Sequence, residues 1–564
     1  MSAGNMTYQT VTFANPLVLG QGAYSIRIST AASGTNSTYN FRPDILTLGN
    51  AGVTLDTSQW VQDSNTDGSA GNTLDPAGGY VLADASVGAT NVNIGRFHTG
   101  TSPSASVNVS NVAPASSGGV TESLSVAQGS VTGAASITSL PGSPLVQGAG
   151  QQVNIALTSA AGAQTGTVQL NFSSVKDGSN STRTGSDPIS VGSSTINVSG
   201  VGYTGQSAWN TDADGSWNLN DFENWDNDGG TPGMDGAASV ADSATFGDAI
   251  TADRTISLNG NNPHLRELVF ENSEARYTLA KGTGNGVMTL GNATYAGALE
   301  NRGGSHAISA DIALGNRLTV TGASGTATTI SGAISGAHGL TKQGAGTLRL
   351  EGANSYTGDT LAAAGTLIIN GSTSSLSELT IGEDATLGGS GTIGGSTIIS
   401  GIHSPGNSPG IQTFEGDLTY TVGSSILWEL VGNTTSGRGD NYDGIDVGEN
   451  LAFTGTTTIS LDFAIAGSLV DWGNAFWSEA RLGTDGWKIF DVEGSISGFQ
   501  NLALGGSLLD SNQLALGSVR SGASFFLYQG NDGIYLNYAA IPEPSAALLG
   551  IFGSLLLLRR KRLA

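Results

Sequence analysis

Gly339-Leu340-Thr341-Lys342-Gln343-Gly344-Ala345-Gly346-Thr347-Leu348-Arg349-Leu350 runs into Gly352-Ala353-Asn354-Ser355-Tyr356-Thr357-Gly358-Asp359-Thr360 and closes with Ala364-Gly365-Thr366-Leu367-Ile368-Ile369-Asn370-Gly371. Apolar and polar residues alternate in short runs, which places one set of side chains on each face of a strand. Gly and Asn separate the runs and supply the backbone freedom that tight turns require. The stretch therefore reads as successive rungs of a right-handed parallel β-helix. Leu348, Leu350, Leu361, Leu367 and Ile369 are expected to point inward, with Gly and Asn at the corners. Such a rung buries its apolar face only against its neighbours, so rungs must stack to be stable.

The pattern continues on both sides. Val287-Met288-Thr289-Leu290, Leu318-Thr319-Val320 and Thr328-Thr329-Ile330 qualify upstream; Leu379-Thr380-Ile381, Thr386-Leu387, Thr392-Ile393 and Thr397-Ile398-Ile399 follow downstream. Ser404-Pro405-Gly406-Asn407-Ser408-Pro409-Gly410 enforces turns, and strands resume at Ile426–Leu430, Tyr442-Asp443-Gly444-Ile445-Asp446-Val447 and Thr457–Phe463. The 339–371 stretch resembles the autotransporter-associated β-strand repeat almost position for position, and the Pro–Gly corner resembles those of autotransporter passenger regions. The resemblance implies a passenger-like solenoid over 205–540, with Phe525–Tyr528 and Tyr535-Leu536 among its last strands.

The region opens with Trp209, Trp217 and Trp225, similar to the tryptophan-marked lead-in of that repeat, and these rings are expected to cap the apolar end of the stack. Within it, Asn210, Asp212 and Asp214, followed by Gly215 and Asp221, approximate a calcium loop. Such a loop needs oxygen ligands at alternate positions and a glycine at the sharp turn. Here Asn replaces the first Asp and Asp replaces the terminal bidentate Glu, so a solvated turn is the competing reading, and no other cofactor is implied.

Between residues 85 and 204, runs such as Ala105–Val112, Gln152–Leu157, Gly166–Phe172 and Thr195–Gly200 alternate at period two, which argues a β-sandwich. Their order resembles immunoglobulin-like choice-of-anchor domains. His98 in this stretch reads as a structural histidine. Residues 1–84 are β-rich without a motif and read as a domain whose start is missing.

The chain ends with Pro542-Glu543-Pro544, an apolar run from Ser545 to Leu558, and Arg559-Arg560-Lys561-Arg562. The run is shorter than the roughly 20 residues of a comfortable membrane helix, and the four cations would hold its end on the cytoplasmic side. This arrangement resembles the PEP-CTERM sorting signal of Gram-negative bacteria, residues 541–564 here. The resemblance implies a short C-terminal hydrophobic helix, membrane tethering, and an exosortase-type enzyme as processing partner. An exported chain should also begin with a secretory signal, which Met1–Met6 does not resemble, so a fragment or a misassigned start is expected.

Composition bounds the function. Glycine supplies 85 of 564 residues, cysteine none, and the net charge is −24 with only 21 Lys and Arg. Nucleic-acid binding needs clustered cations and is not expected; thiol chemistry and disulfides are excluded. Asp440, Asp443 and Asp446 are the carboxylates on which a glycosidase reading would rest, but their spacing fits turns and alternate strand faces equally well. Arg438-Gly439-Asp440 is read as a chance tripeptide. The five histidines are scattered, which suggests no metal cluster. The expectation is an exported, non-enzymatic structural or adhesive solenoid, with a polysaccharide-binding or carbohydrate-active β-helix as the alternative and extracellular polysaccharide as its partner.

Overall fold

The structure, a computed structural model, describes residues 81–115, 120–176, 187–226, 229–234 and 241–540. The expectations for most of the N-terminal segment (1–80) and for the sorting tail (541–564) lie outside the described residues. The protein is all-β, built as a two-sheet unit followed by a long parallel stack.

In the first unit, Ala85–Val87, Ser104–Asn111, Gly150–Leu157 and Ala135–Ser139 form an antiparallel sheet. Asn91–His98, Ile189–Tyr203, Gly162–Val175 and Ser123–Gly133 form a second sheet, in which the first pair runs parallel. Alternate residues meet between the sheets: Val107, Val109, Val153 and Ile155 from one, Leu124, Val168, Leu170 and Ile196 from the other, all buried. Period-two burial of one face of each strand is the alternation read from the sequence.

From Gln206 onward the chain winds as a three-faced solenoid. On the first face Ser243–Phe246, Glu267–Phe270, Gly297–Asn301, Leu318–Gly322 and Leu340–Gln343 lie in parallel register, continued by Thr360–Ile369, Leu379–Gly389, Thr397–Ile399, Leu418–Tyr420 and Leu451–Phe453. Through the middle of the stack a rung takes roughly 20 residues, a length typical of solenoid repeats, while the steps from Leu268 to Leu299 and from Tyr420 to Phe453 carry longer loops. The parallel register makes interior columns: Val320 lies beside Lys342, then Ala362, Ile381, Ile399 and Tyr420. Leu348, Leu350, Leu367 and Ile369 are fully buried as expected. Leu361 is not. It pairs with Thr341 and Thr380 on the outer surface, half-buried, while Thr360 and Ala362 face inward. The Thr360 hydroxyl is held inside at 2.7 Å from that of Tyr356, and with the inside fixed at 360 a period of two leaves 361 out.

The third face runs through His264–Leu265, Val287–Leu290, Asp311–Leu314 and Ile334–Ser335, and resumes at Thr392–Ile393, Ile411–Phe414, Gly444–Val447 and Trp487–Val492. Across the repeat it is reduced to single bridges from Ala353 to Ser372 and from Ser372 to Thr392. An antiparallel hairpin, Gly533–Ala539 with Ser524–Gln529, closes it. Among the described residues no helix is long and apolar enough to cross a membrane.

Candidate functional site

The conspicuous polar residues of the repeat are inside the stack. Lys342 is buried in the apolar column, and its Nζ donates to the carbonyls of Gln343 (2.9 Å), Gly344 (2.8 Å) and Ala364 (3.0 Å). Those are as many acceptors as an ammonium has protons, and the third lies on the next rung. Burial lowers its pKa to about 8. The backbone at Gly365 (φ 71°) approaches so closely that a Cβ there would lie 2.8 Å from Nζ, so glycine is required. Asn354, also buried, donates from Nδ2 to Gly352 O (3.0 Å) and Ser372 O (3.1 Å) and accepts at Oδ1 from Ile334 N (3.0 Å). It ties three rungs where the third face lacks strand pairing. Ser377 Oγ lies 3.3 Å from Thr360 Oγ1 and donates to Gly358 O at 2.8 Å, extending the Tyr356–Thr360 pair to the following rung. Buried polar groups satisfied in this way fix register, because leaving any one unpaired costs about 1–3 kcal/mol.

A second buried polar cluster lies at the Pro–Gly corner. Asp443 is fully buried; Oδ1 accepts from Gly410 N and Oδ2 from Glu429 N, both at 2.9 Å. Burial, reinforced by the charge of Glu429, pushes its carboxyl up to about 8 against the two amides. Glu429 accepts from the Ser408 hydroxyl at 2.8 Å, and its pKa is also raised by burial. His403, on the interior side of the next strand, sits 2.6 Å from the Tyr420 hydroxyl and 2.8 Å from Gln412 Oε1, and burial lowers its pKa to about 4. These groups are paired carboxyls of perturbed pKa, which makes them candidates for acid–base chemistry. Both oxygens of Asp443 are nevertheless occupied by backbone amides beneath the surface. Asp446 pairs with Arg438 at 2.6 Å, and the Asp440 amide closes a turn onto Gly437 O. Arg438 also donates to the carbonyls of Ile445 and Lys488, so the tripeptide's cation is tied down.

The calcium candidates among the described residues, Asn210, Asp212 and Asp214, each engage separate protein groups. Asp212 binds Thr251 through its amide and hydroxyl and pairs with Arg254 at 2.9 Å; the Thr251 hydroxyl and then Arg254 hold its pKa below the usual carboxylate value. Asp214 accepts from Thr255 N at 2.8 Å, and Asn210 donates to Trp225 O. Asp221 lies in the short turn Leu219–Asn224, and its side chain is outside the described residues. Among the described residues no group of three or more His, Asp or Glu is placed to hold a metal ion. The three tryptophans pack around Phe246, all buried, with Trp209 edge-on to Trp225 at 5.3 Å. The sorting residues Pro542, Glu543, Pro544, Arg559, Arg560, Lys561 and Arg562 lie outside the described residues.

Three features escaped the sequence reading. His98 Nε2 lies 2.8 Å from Asp242 Oδ1, joining the two-sheet unit to the first rungs; Asp242 Oδ2 accepts from Gly233 N. Sequence separation of 144 residues hid that pair. The Asp443–Glu429 cluster gave no signal, because adjacency arises from the rung step. An aromatic cluster of Trp472, Trp477, Trp487, Phe525 and Tyr538 fills the C-terminal end; the tryptophan spacing could have suggested it.

Residues 340–369 match the family described as Passenger-associated-transport-repeat. Over 105 residues, 18% of the chain, the sequence is 37% identical to the Adhesin BmaC autotransporter of Brucella suis biovar 1 (strain 1330). That match spans 3% of the adhesin's length.

Proposed function

We propose that the chain is an exported structural or adhesive solenoid of a Gram-negative cell surface, without enzymatic activity. The observation that carries this reading is the fate of the repeat's polar residues: Lys342, Asn354, Tyr356 and Thr360 are consumed in holding rungs together. Similarity to a passenger repeat and to an adhesin supports the surface role. In this reading residues 85–204 are an immunoglobulin-like, choice-of-anchor type unit, the solenoid is right-handed, and 541–564 is a PEP-CTERM signal. Its hydrophobic helix tethers the chain to the membrane until an exosortase-type enzyme acts at Pro542-Glu543-Pro544. No cofactor is used, and calcium leaves the melting temperature unchanged. Attachment assays on cells lacking the chain test the adhesive role, with reduced attachment expected and unchanged attachment refuting it. Mass spectrometry of the mature C-terminus tests the sorting step: an end near Pro544 is expected, and an intact Ala564 refutes cleavage.

One observation favours polysaccharide binding as a second reading. An open recess of about 500 Å³ on the two-sheet unit is lined by Asn91, Asn93, Thr132, Thr165, Thr167, Asn197 and Ser199 together with Val92, Val198, Gly133 and Gly166, and carries no charged side chain. A neutral surface that mixes amides and hydroxyls with aliphatic carbon suits a neutral glycan; it lacks an aromatic platform, so affinity would be low. Affinity electrophoresis in neutral polysaccharide should show retardation that Asn197→Ala reduces.

A further inference from the structure

The third face of the solenoid ends at the strand Ser524–Gln529, which among the described residues pairs on one side only, with Gly533–Ala539. Its register is unbroken from Ser524 opposite Ala539 to Gln529 opposite Ile534. Natural sheets blunt such edges with charges, proline, bulges or a covering helix. Ser524-Phe525-Phe526-Leu527-Tyr528-Gln529 contains none of the first two, pairs without a bulge, and exposes Ser524, Phe526, Tyr528 and Gln529. Phe526 and Tyr528 are 40% and 41% exposed on the outer side, while Phe525 and Leu527 pack toward the core. The neighbouring cation, Lys488, is engaged by Asp491 (2.6 Å) and Asp532 (2.8 Å).

We propose that Ser524–Gln529 pairs edge to edge with the same strand of a second copy of this chain. Two copies carrying −24 each repel over most approaches, so a neutral strand is where close contact costs least. An antiparallel edge is also self-complementary under a twofold axis. Residues directly opposite one another must share a face of the sheet, so the twofold axis passes through a residue, and the proposed register, centred on Leu527, is the one that sets Phe526 against Tyr528. Leu527 then faces Leu527 of the second copy, and Phe526 faces Tyr528 on the outer surface as a cross-strand aromatic pair. Six residues a side make a small interface, so association is weak, on the order of tens of micromolar.

Sedimentation velocity of the full chain should show monomer converting to dimer as concentration rises. Tyr528→Lys alters an exposed side chain and should weaken that conversion about tenfold or more. Because the chain contains no cysteine, single cysteines report the register. Leu527→Cys should yield a disulfide-linked dimer on mild oxidation, since paired Cα atoms stand about 4.5–5.5 Å apart. Ser524→Cys should not, its counterpart lying about 20 Å away along the strands. A chain monomeric at every concentration, undiminished association of Tyr528→Lys, or equal cross-linking by the two cysteine variants overturns the proposal.

Discussion

At the N-terminal end of the solenoid Trp209, Trp217 and Trp225 come from one short stretch and close over Phe246, with the two-sheet unit joined behind them through His98 and Asp242. At the C-terminal end Trp472, Trp477 and Trp487 meet Phe463, Phe525 and Tyr538, drawn from a long loop, a strand and a hairpin. Both seals keep water from the interior columns. The first is a local plug and the second a tertiary assembly whose parts depend on one another. In a stack whose rungs touch only neighbours, damage should spread inward from the nearer end, so the two seals ought to fail differently.

The largest effect is expected from Trp477→Ala. That ring is fully buried, contacts Trp472, Trp487 and Tyr538, and donates to Asn433 Oδ1 at 2.7 Å. A loss of about 3–5 kcal/mol is expected, and hydrogen exchange should accelerate over the last rungs while the first remain protected. Trp217→Ala, whose indole donates to Pro232 O, should cost a similar or smaller amount and reverse the pattern, loosening the first rungs. A uniform loss of protection in either variant would deny that the ends act separately.

Lys342→Met, between the two ends, strands three carbonyls in a buried corner, and about 2 kcal/mol is expected to be lost. Exchange should rise on both sides of rungs 340–369, without favouring an end.

Asp443 and Asp212, on opposite sides of the repeat, should respond oppositely to pH. Burial pushes the Asp443 carboxyl up to about 8, above its ordinary 3.8. Its protonated form belongs to the fold, so the stability it contributes is complete below about pH 4 and is lost as pH rises toward 8. His403 works the other way, its pKa of about 4 against 6.5 removing stability as pH falls between those values. Subtracting the melting curve of Asp443→Asn from that of the parent chain isolates the first term, and the difference should shrink as pH rises. On the other side of the repeat Asp212 is depressed by Thr251 and Arg254, so its contribution is present above pH 4 and disappears in acid. Asp212→Asn should give the smallest shift in melting temperature of the series, visible at neutral pH and absent in strong acid.

Much of the solenoid was legible because its determinants are local. Alternation around Leu348, Leu350, Leu367 and Ile369 fixes inside and outside, and one stretch holds the N-terminal tryptophans. Leu361 was misassigned because apolarity alone cannot tell which parity faces inward when a hydroxyl network holds Thr360. The Asp443–Glu429 pair and the C-terminal seal were hidden for another reason. Their members meet only after the chain has completed whole turns, and nothing in local spacing encodes which turn lies above which. Likewise Asp212 and Asp214 looked like ion ligands because a turn rich in carboxylates presents the same letters whether its oxygens face an ion or, as here, the Thr251 hydroxyl, Arg254 and backbone amides.

The parallel rungs are joined along the solenoid axis by their backbone hydrogen bonds. Tension applied between the two ends therefore loads these bonds along their own direction, one ladder after another, so that they open in sequence rather than shear together. Each middle rung released would add about 70 Å of contour, given roughly 20 residues at about 3.5 Å each, and the rungs with longer loops proportionally more. Single-molecule stretching should give a sawtooth whose commonest spacing is that of the middle rungs, the record of a tether that yields in instalments; one all-at-once rupture would contradict it.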